Sequence, residues 1–72
     1  MGDEQRYFGV VREFNSARGT GLIRLEDSSE DVFVRYSAIL GEGVRKLVSG
    51  QRVSFELEKS THGLSATRVL SE

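Results

Sequence analysis

Alternation with a period of two is the feature that most constrains this chain. In Val53-Ser54-Phe55-Glu56-Leu57-Glu58 the odd positions are apolar and the even ones polar, the pattern of a strand with one face in a core and the other in water. Gly21-Leu22-Ile23-Arg24-Leu25 places Ile23 and Leu25 on one face and Leu22 and Arg24 on the other, and Val32-Phe33-Val34-Arg35 separates its two valines from Phe33 and Arg35 in the same way. Tyr7 to Phe14 and Leu64 to Leu70 complete a set of five strands of ordinary length. Glycines at 9, 19, 21, 41, 43, 50 and 63 punctuate the chain, and Glu26-Asp27-Ser28-Ser29-Glu30 reads as a hairpin loop between the second and third strands. The one long connection is 37–49. There Leu40, Val44, Leu47 and Val48 have helical spacing, but Gly41 and Gly43 would each cost about 1 kcal/mol inside a helix. A helical turn followed by a structured loop is expected. Short strands with no crossover helix leave open edges unless the sheet closes on itself. The expected fold is therefore all-β, a small closed five-stranded antiparallel barrel of the OB type.

The 72 residues suffice for one core, expected over 6–70 with 1–5 and 71–72 as tails. Without cysteine, disulfides, thiolate metal sites and cysteine nucleophiles are excluded, and a single histidine, His62, is too little for a histidine-built metal centre. No run approaches the roughly 18 apolar residues of a membrane helix, and the first six residues lack an apolar signal region. A cytoplasmic protein with no membrane association and no small-molecule cofactor is expected. A body this small has little room for a deep cleft, which favours a surface binding module over an enzyme. No nucleophile elbow is present, and Gly19-Thr20-Gly21 lacks the following helix that a phosphate-binding loop requires.

Net charge is −1, but its distribution is uneven: between Arg6 and Arg24 four arginines face one acid, Glu13, whereas 26–31 holds four acids and no base. The outward face of the second and third strands collects Thr20, Leu22 and Arg24 with Phe33 and Arg35, and Arg12 and Arg18 are close in sequence. A phenylalanine directed at solvent among arginines is unusual on a folded surface. Proteins that hold single-stranded nucleic acid use such rings as stacking platforms, worth about 1–3 kcal/mol per base, with cations to follow the backbone.

These residues resemble the bacterial cold-shock proteins. Gly9-Val10-Val11-Arg12-Glu13-Phe14-Asn15-Ser16-Ala17-Arg18-Gly19-Thr20-Gly21-Leu22-Ile23 is similar to that family's opening strand and first ribonucleoprotein motif, and Asp31-Val32-Phe33-Val34-Arg35-Tyr36-Ser37-Ala38-Ile39 to its second. Gly41-Glu42-Gly43, Leu47, Gly50-Gln51-Arg52-Val53-Ser54-Phe55 and Gly63 with Ala66 continue the likeness in order, from about Phe8 to Val69. The resemblance implies a five-stranded OB-type barrel that binds single-stranded RNA or DNA and acts as an RNA chaperone or in transcription antitermination.

The departures from that pattern bear on function. Glu13 stands where the family has an exposed tryptophan, Thr20 and Leu22 where its first motif has two stacking aromatics, and Val44 where its long loop has another. Arg35 replaces the histidine of the second motif, and Leu64 the proline after the late glycine. By resemblance, the nucleic-acid-binding residues are Arg12, Phe14, Arg18, Thr20, Leu22, Phe33, Arg35, Tyr36 and His62. Phe14, Phe33 and Tyr36 are the surviving platforms, although Phe14, like Tyr7, also suits a packing role. Arg12 and Arg18 are backbone-contacting cations, and the planar guanidinium of Arg35 can itself stack. His62 is a loop residue at the ligand's border. Weakened affinity is expected, with salt-dependent contacts dominating what remains. The chain is expected to be a monomer. The alternative is a barrel that no longer binds nucleic acid and uses Leu22, Val44 and Phe33 to contact a protein or to form a homodimer.

Overall fold

Five strands form in the computed structural model, which describes residues 6–40, 47–61 and 63–71. They are β1 (Tyr7–Asn15), β2 (Thr20–Leu25), β3 (Asp31–Arg35), β4 (Arg52–Ser60) and β5 (Gly63–Ser71), with a 3-10 turn at Tyr36–Ala38. The hairpin loop lies where the polar run placed it, between Leu25 and Asp31, and is tied by the Leu25 amide donating to the Glu30 carbonyl at 3.0 Å. Of the long connection, the described part contains the 3-10 turn, the buried Leu47 and the exposed Leu40 and Val48. Val44 lies outside the described residues, as does His62.

The strands close into a barrel in the order β1-β2-β3-β5-β4. Four seams are antiparallel and the β3–β5 seam is parallel, with Phe33 opposite Ser65. The barrel is thus mixed rather than wholly antiparallel, for a reason of parity: a ring of five strands cannot alternate direction all the way round. One seam must join strands that run the same way. Alternation accounts for most of the core: Val11, Ile23, Val32, Val34, Val53, Phe55 and Val69 are fully buried, with Leu25 and Ala66 beside them, Ile39 and Leu47 added from outside the strands, and Leu57 of the apolar face of β4 only partly buried.

Two irregularities shape the wall. On β1, Val11 pairs with Ile23 and Glu13 with Leu22, leaving Arg12 as an extra, bulged residue. The bulge resets the alternation, so that Glu13 joins Leu22 on the outer face while Phe14 packs against the core. The Ser49 hydroxyl donates to the Arg12 carbonyl at 2.8 Å, satisfying an oxygen released from the ladder. On β5, Leu70 pairs with Ser54 but Thr67 with Glu56, a second bulge in which Arg68 adopts a left-handed backbone with φ 50°.

Ser54 departs from expectation. Its position is in phase with the polar face of β4, yet it is only 2% exposed. Phe8 and Leu70 flank it on the neighbouring strands, and Arg6 Nη2 donates to its hydroxyl at 3.1 Å. Arg6 also donates to the Arg68 carbonyl at 2.8 Å and approaches the Glu56 carboxylate at 3.8 Å, so one side chain pins β1, β4 and β5 together.

Candidate nucleic-acid interface

The outer face of β2 and β3 is assembled by register. Leu22 pairs with Phe33 and Thr20 with Arg35, and the first of these rows runs on from Glu13 through Leu22 and Phe33 to Ser65. Val32 and Val34 are locked in the core, so Phe33 must turn outward, and its ring is half-buried in the wall of a groove.

That groove has two parts sharing Leu22 and Phe33. The first, of about 770 Å³, runs past Glu13, Phe14 and the β1–β2 turn to Arg18 and Thr20. The second, of about 520 Å³, is bounded by Asp31 and Arg35 on β3 and by Ser60, Gly63, Leu64 and Ser65 from the β4–β5 hairpin. Arg35 Cζ lies 5.3 Å from the centroid of the Phe33 ring, a cation–π contact that places a planar cation on an aromatic face.

The β1–β2 turn is held by its own side chains. Asn15 Oδ1 accepts from the amides of Ala17 at 3.0 Å and Arg18 at 3.1 Å, and the Gly19 amide donates to the Asn15 carbonyl at 2.7 Å. Gly19 has φ 71°, and a Cβ there would meet Tyr36 Cδ1 at 2.7 Å. The Tyr36 ring is therefore seated against the glycine, and its amide donates to the Gly19 carbonyl at 2.7 Å, while the residue as a whole remains 55% exposed. Tyr36 sits beside the turn and does not line either part of the groove.

Of the residues named from the sequence, Phe14, Arg18, Thr20, Leu22, Phe33 and Arg35 come together along the groove. Phe14 packs on the core, and its ring lies over Gly21 beside the first part of the groove. Arg12 is directed elsewhere, with Nη1 donating to Asp31 Oδ2 at 2.7 Å. The arginine-rich segment is in fact largely matched by acids: Arg24 faces Asp31 at 4.0 Å, Arg52 faces Glu26 at 2.8 Å, and Arg6 and Arg68 share Glu56. Among the described residues Arg18 and Arg35 form no ion pair. Asp31 and the hairpin residues Ser60 and Ser65 were not anticipated as part of this surface. Asp31 could have been, because it shares the phase of Phe33 and Arg35 on β3.

Fold and surface together define a class: a small OB-type barrel with an aromatic, cation-flanked groove across its second and third strands. The chain belongs to the cold-shock domain family, whose model, described as the 'Cold-shock' DNA-binding domain, matches residues 7–71. This family is generally nucleic-acid binding. Similar proteins include the cold shock-like protein CspE of Escherichia coli, 46% identical over 63 residues that cover 88% of this chain and 91% of that one. The major cold shock protein of Micrococcus luteus is 46% identical over 61 residues, covering 85% and 91% respectively. The fold also matches the solved structure described as drosophila Unr CSD456, with a TM-score of 0.80 and 20% identity. That match covers 97% of this chain and 28% of the other. No helix among the described residues is long and apolar enough to cross a membrane.

Proposed function

We propose that this protein is a non-catalytic module that binds single-stranded RNA or DNA along the Leu22–Phe33 groove, more weakly than a barrel with a full aromatic platform. The observation that carries this reading is the outward Phe33 ring with the Arg35 guanidinium 5.3 Å from its centroid, at the junction of the two parts of the groove. Both groups offer planar surfaces to a base. Phe14 extends the platform at one end, and Arg18 supplies charge beside the β1–β2 turn. Tyr36, fixed against Gly19, presents an exposed ring to a strand leaving the groove. Thr20 and Leu22 contribute only van der Waals contact, and the Glu13 carboxylate repels phosphate where a ring would stack. Two or three missing stacks at about 1–2 kcal/mol each sum to about 2–6 kcal/mol, a weakening of about thirtyfold at the least. RNA chaperoning or transcription antitermination in the cytoplasm is the role consistent with such a module.

Chemical-shift mapping with heptathymidine and heptauridine at low salt tests this directly. Perturbations centred on Leu22, Phe33 and Arg35 are expected. An oligonucleotide that shifts no resonance on this face, while a protein partner does, would give the face to protein recognition instead.

A further inference from the structure

Arg12 and Asp31 set up a competition at one end of the groove. Arg12 is the bulged residue of β1, and its guanidinium donates to Asp31 Oδ2 at 2.7 Å, while Arg24 Nε approaches the other carboxylate oxygen at 4.0 Å. Asp31 lies with Phe33 and Arg35 on the outer face of β3 and borders the second part of the groove. One carboxylate therefore stands between two cations at the Arg24–Asp31 end of the β2–β3 ladder, whereas Arg18 and Arg35 mark the Thr20 end.

Carboxylate and phosphate oxygens compete for the same guanidinium donors. A phosphate that took Arg12 would have to break the 2.7 Å contact and would then lie beside the released Asp31 carboxylate. One ion pair would replace another, and a new repulsion would be added. Little attraction is left for the ligand at this end. We infer that Asp31 is a positioning residue that withholds Arg12 from the ligand, so that phosphates are followed by Arg18 and Arg35 at the Thr20 end of the β2–β3 ladder. The inference rests on the nucleic-acid reading and deepens it, because it states which cations the strand uses.

The salt dependence of binding reads this out. Each phosphate neutralised on a single strand adds about 0.7 to the slope of log K against log salt, equivalent to about fivefold in affinity at 0.1 M. Fluorescein-labelled heptathymidine is titrated from about 50 to 500 mM salt into wild type, Arg12→Gln, Arg18→Gln, Asp31→Asn and the Asp31→Asn/Arg12→Gln double variant. Arg12→Gln should leave the slope of wild type nearly unchanged, and Arg18→Gln should reduce it by about 0.7. Asp31→Asn should steepen it by about 0.7 and tighten binding about fivefold at 0.1 M, and most of this gain should disappear in the double variant, because Arg24 at 4.0 Å is held by Asp31 far less closely than Arg12 at 2.7 Å. A purely structural role for Asp31 would not move the slope in this paired manner. If Arg12→Gln alone lowers the slope as much as Arg18→Gln, or if the Asp31→Asn gain persists without Arg12, the inference is overturned while the function stands. If wild type fails to bind at 50 mM salt, both are overturned.

Discussion

Restoring one ring should restore a stack, and Leu22→Phe is the substitution best placed to do so. Leu22 pairs with Phe33 across β2 and β3 and lines both parts of the groove. Side chains so paired have Cβ atoms roughly 4.5–5.5 Å apart, close enough for two rings to form one continuous platform. A stacked base is worth about 1–3 kcal/mol, and the leucine already supplies some dispersion, so the net gain is about 1–2 kcal/mol, or about 5- to 30-fold in affinity. The ring projects outward, whereas the core contact of β2 is made by Ile23 on the opposite face. Stability should therefore change by no more than about 0.5 kcal/mol. Because the added contact is uncharged, the gain should be the same factor at low and high salt. Native tryptophan is absent, so anisotropy of a labelled heptathymidine or calorimetry provides the readout. A gain below twofold would mean that bases do not lie across Leu22. A gain that fades as salt rises would mean that it arises from altered charge rather than stacking.

Two further predictions concern the bulges. In Gly21→Ala the new Cβ would overlap the Glu13 carbonyl oxygen and lie 2.7 Å from Phe14 Cδ1 and 2.9 Å from Phe14 Cα. Backbone cannot rotate away from such contacts, so a loss of about 2 kcal/mol is expected, seen by calorimetry as a fall in Tm of about 8–16 °C; a fall under 3 °C, on the scale of about 0.5 kcal/mol, would show that β1 and β2 separate easily here. Arg68→Gly relieves a left-handed residue at φ 50° at the expense of a surface pair with Glu56 at 3.6 Å. Relief of about 1–2 kcal/mol against about 0.5 kcal/mol for the pair and about 0.5 for added chain entropy leaves stability unchanged or raised by up to about 1 kcal/mol. Arg68→Ala keeps the strain and should be less stable than Arg68→Gly in denaturant titration; the reverse order would argue against strain at this bulge.

Much of this barrel could be read from local pattern. The valines of β3 faced inward and Phe33 outward as alternation required, because a two-residue period survives any uncertainty about neighbours. The β1 bulge was less accessible, though it left a trace: strict alternation from Val11 would bury Glu13, and a carboxylate at an inward position signals a broken phase. The parallel seam was available from parity once five strands were closed into a ring. The burial of Ser54 was not legible, since alternation assigns a face but says nothing of what lies over it, and Arg6 reaches it from 48 residues away. The same holds for Arg12 and Asp31, 19 residues apart and joined only by the register of three strands.

That register also decides what the charge pattern means. Four arginines between Arg6 and Arg24 suggest a basic face, but Arg6, Arg12 and Arg24 each meet a carboxylate, as do Arg52 and Arg68. Of the described cations, those that line the groove and form no ion pair are Arg18 and Arg35, and Arg35 rests on Phe33. Two phosphate contacts correspond to a slope of about −1.4 for a single strand, a modest value for a nucleic-acid site. Where cations without an ion pair and rings are both few along the described groove, binding relies on the place where the two coincide. The Phe33–Arg35 pair is that place, so removing either side chain should cost more binding than any other single substitution on the surface.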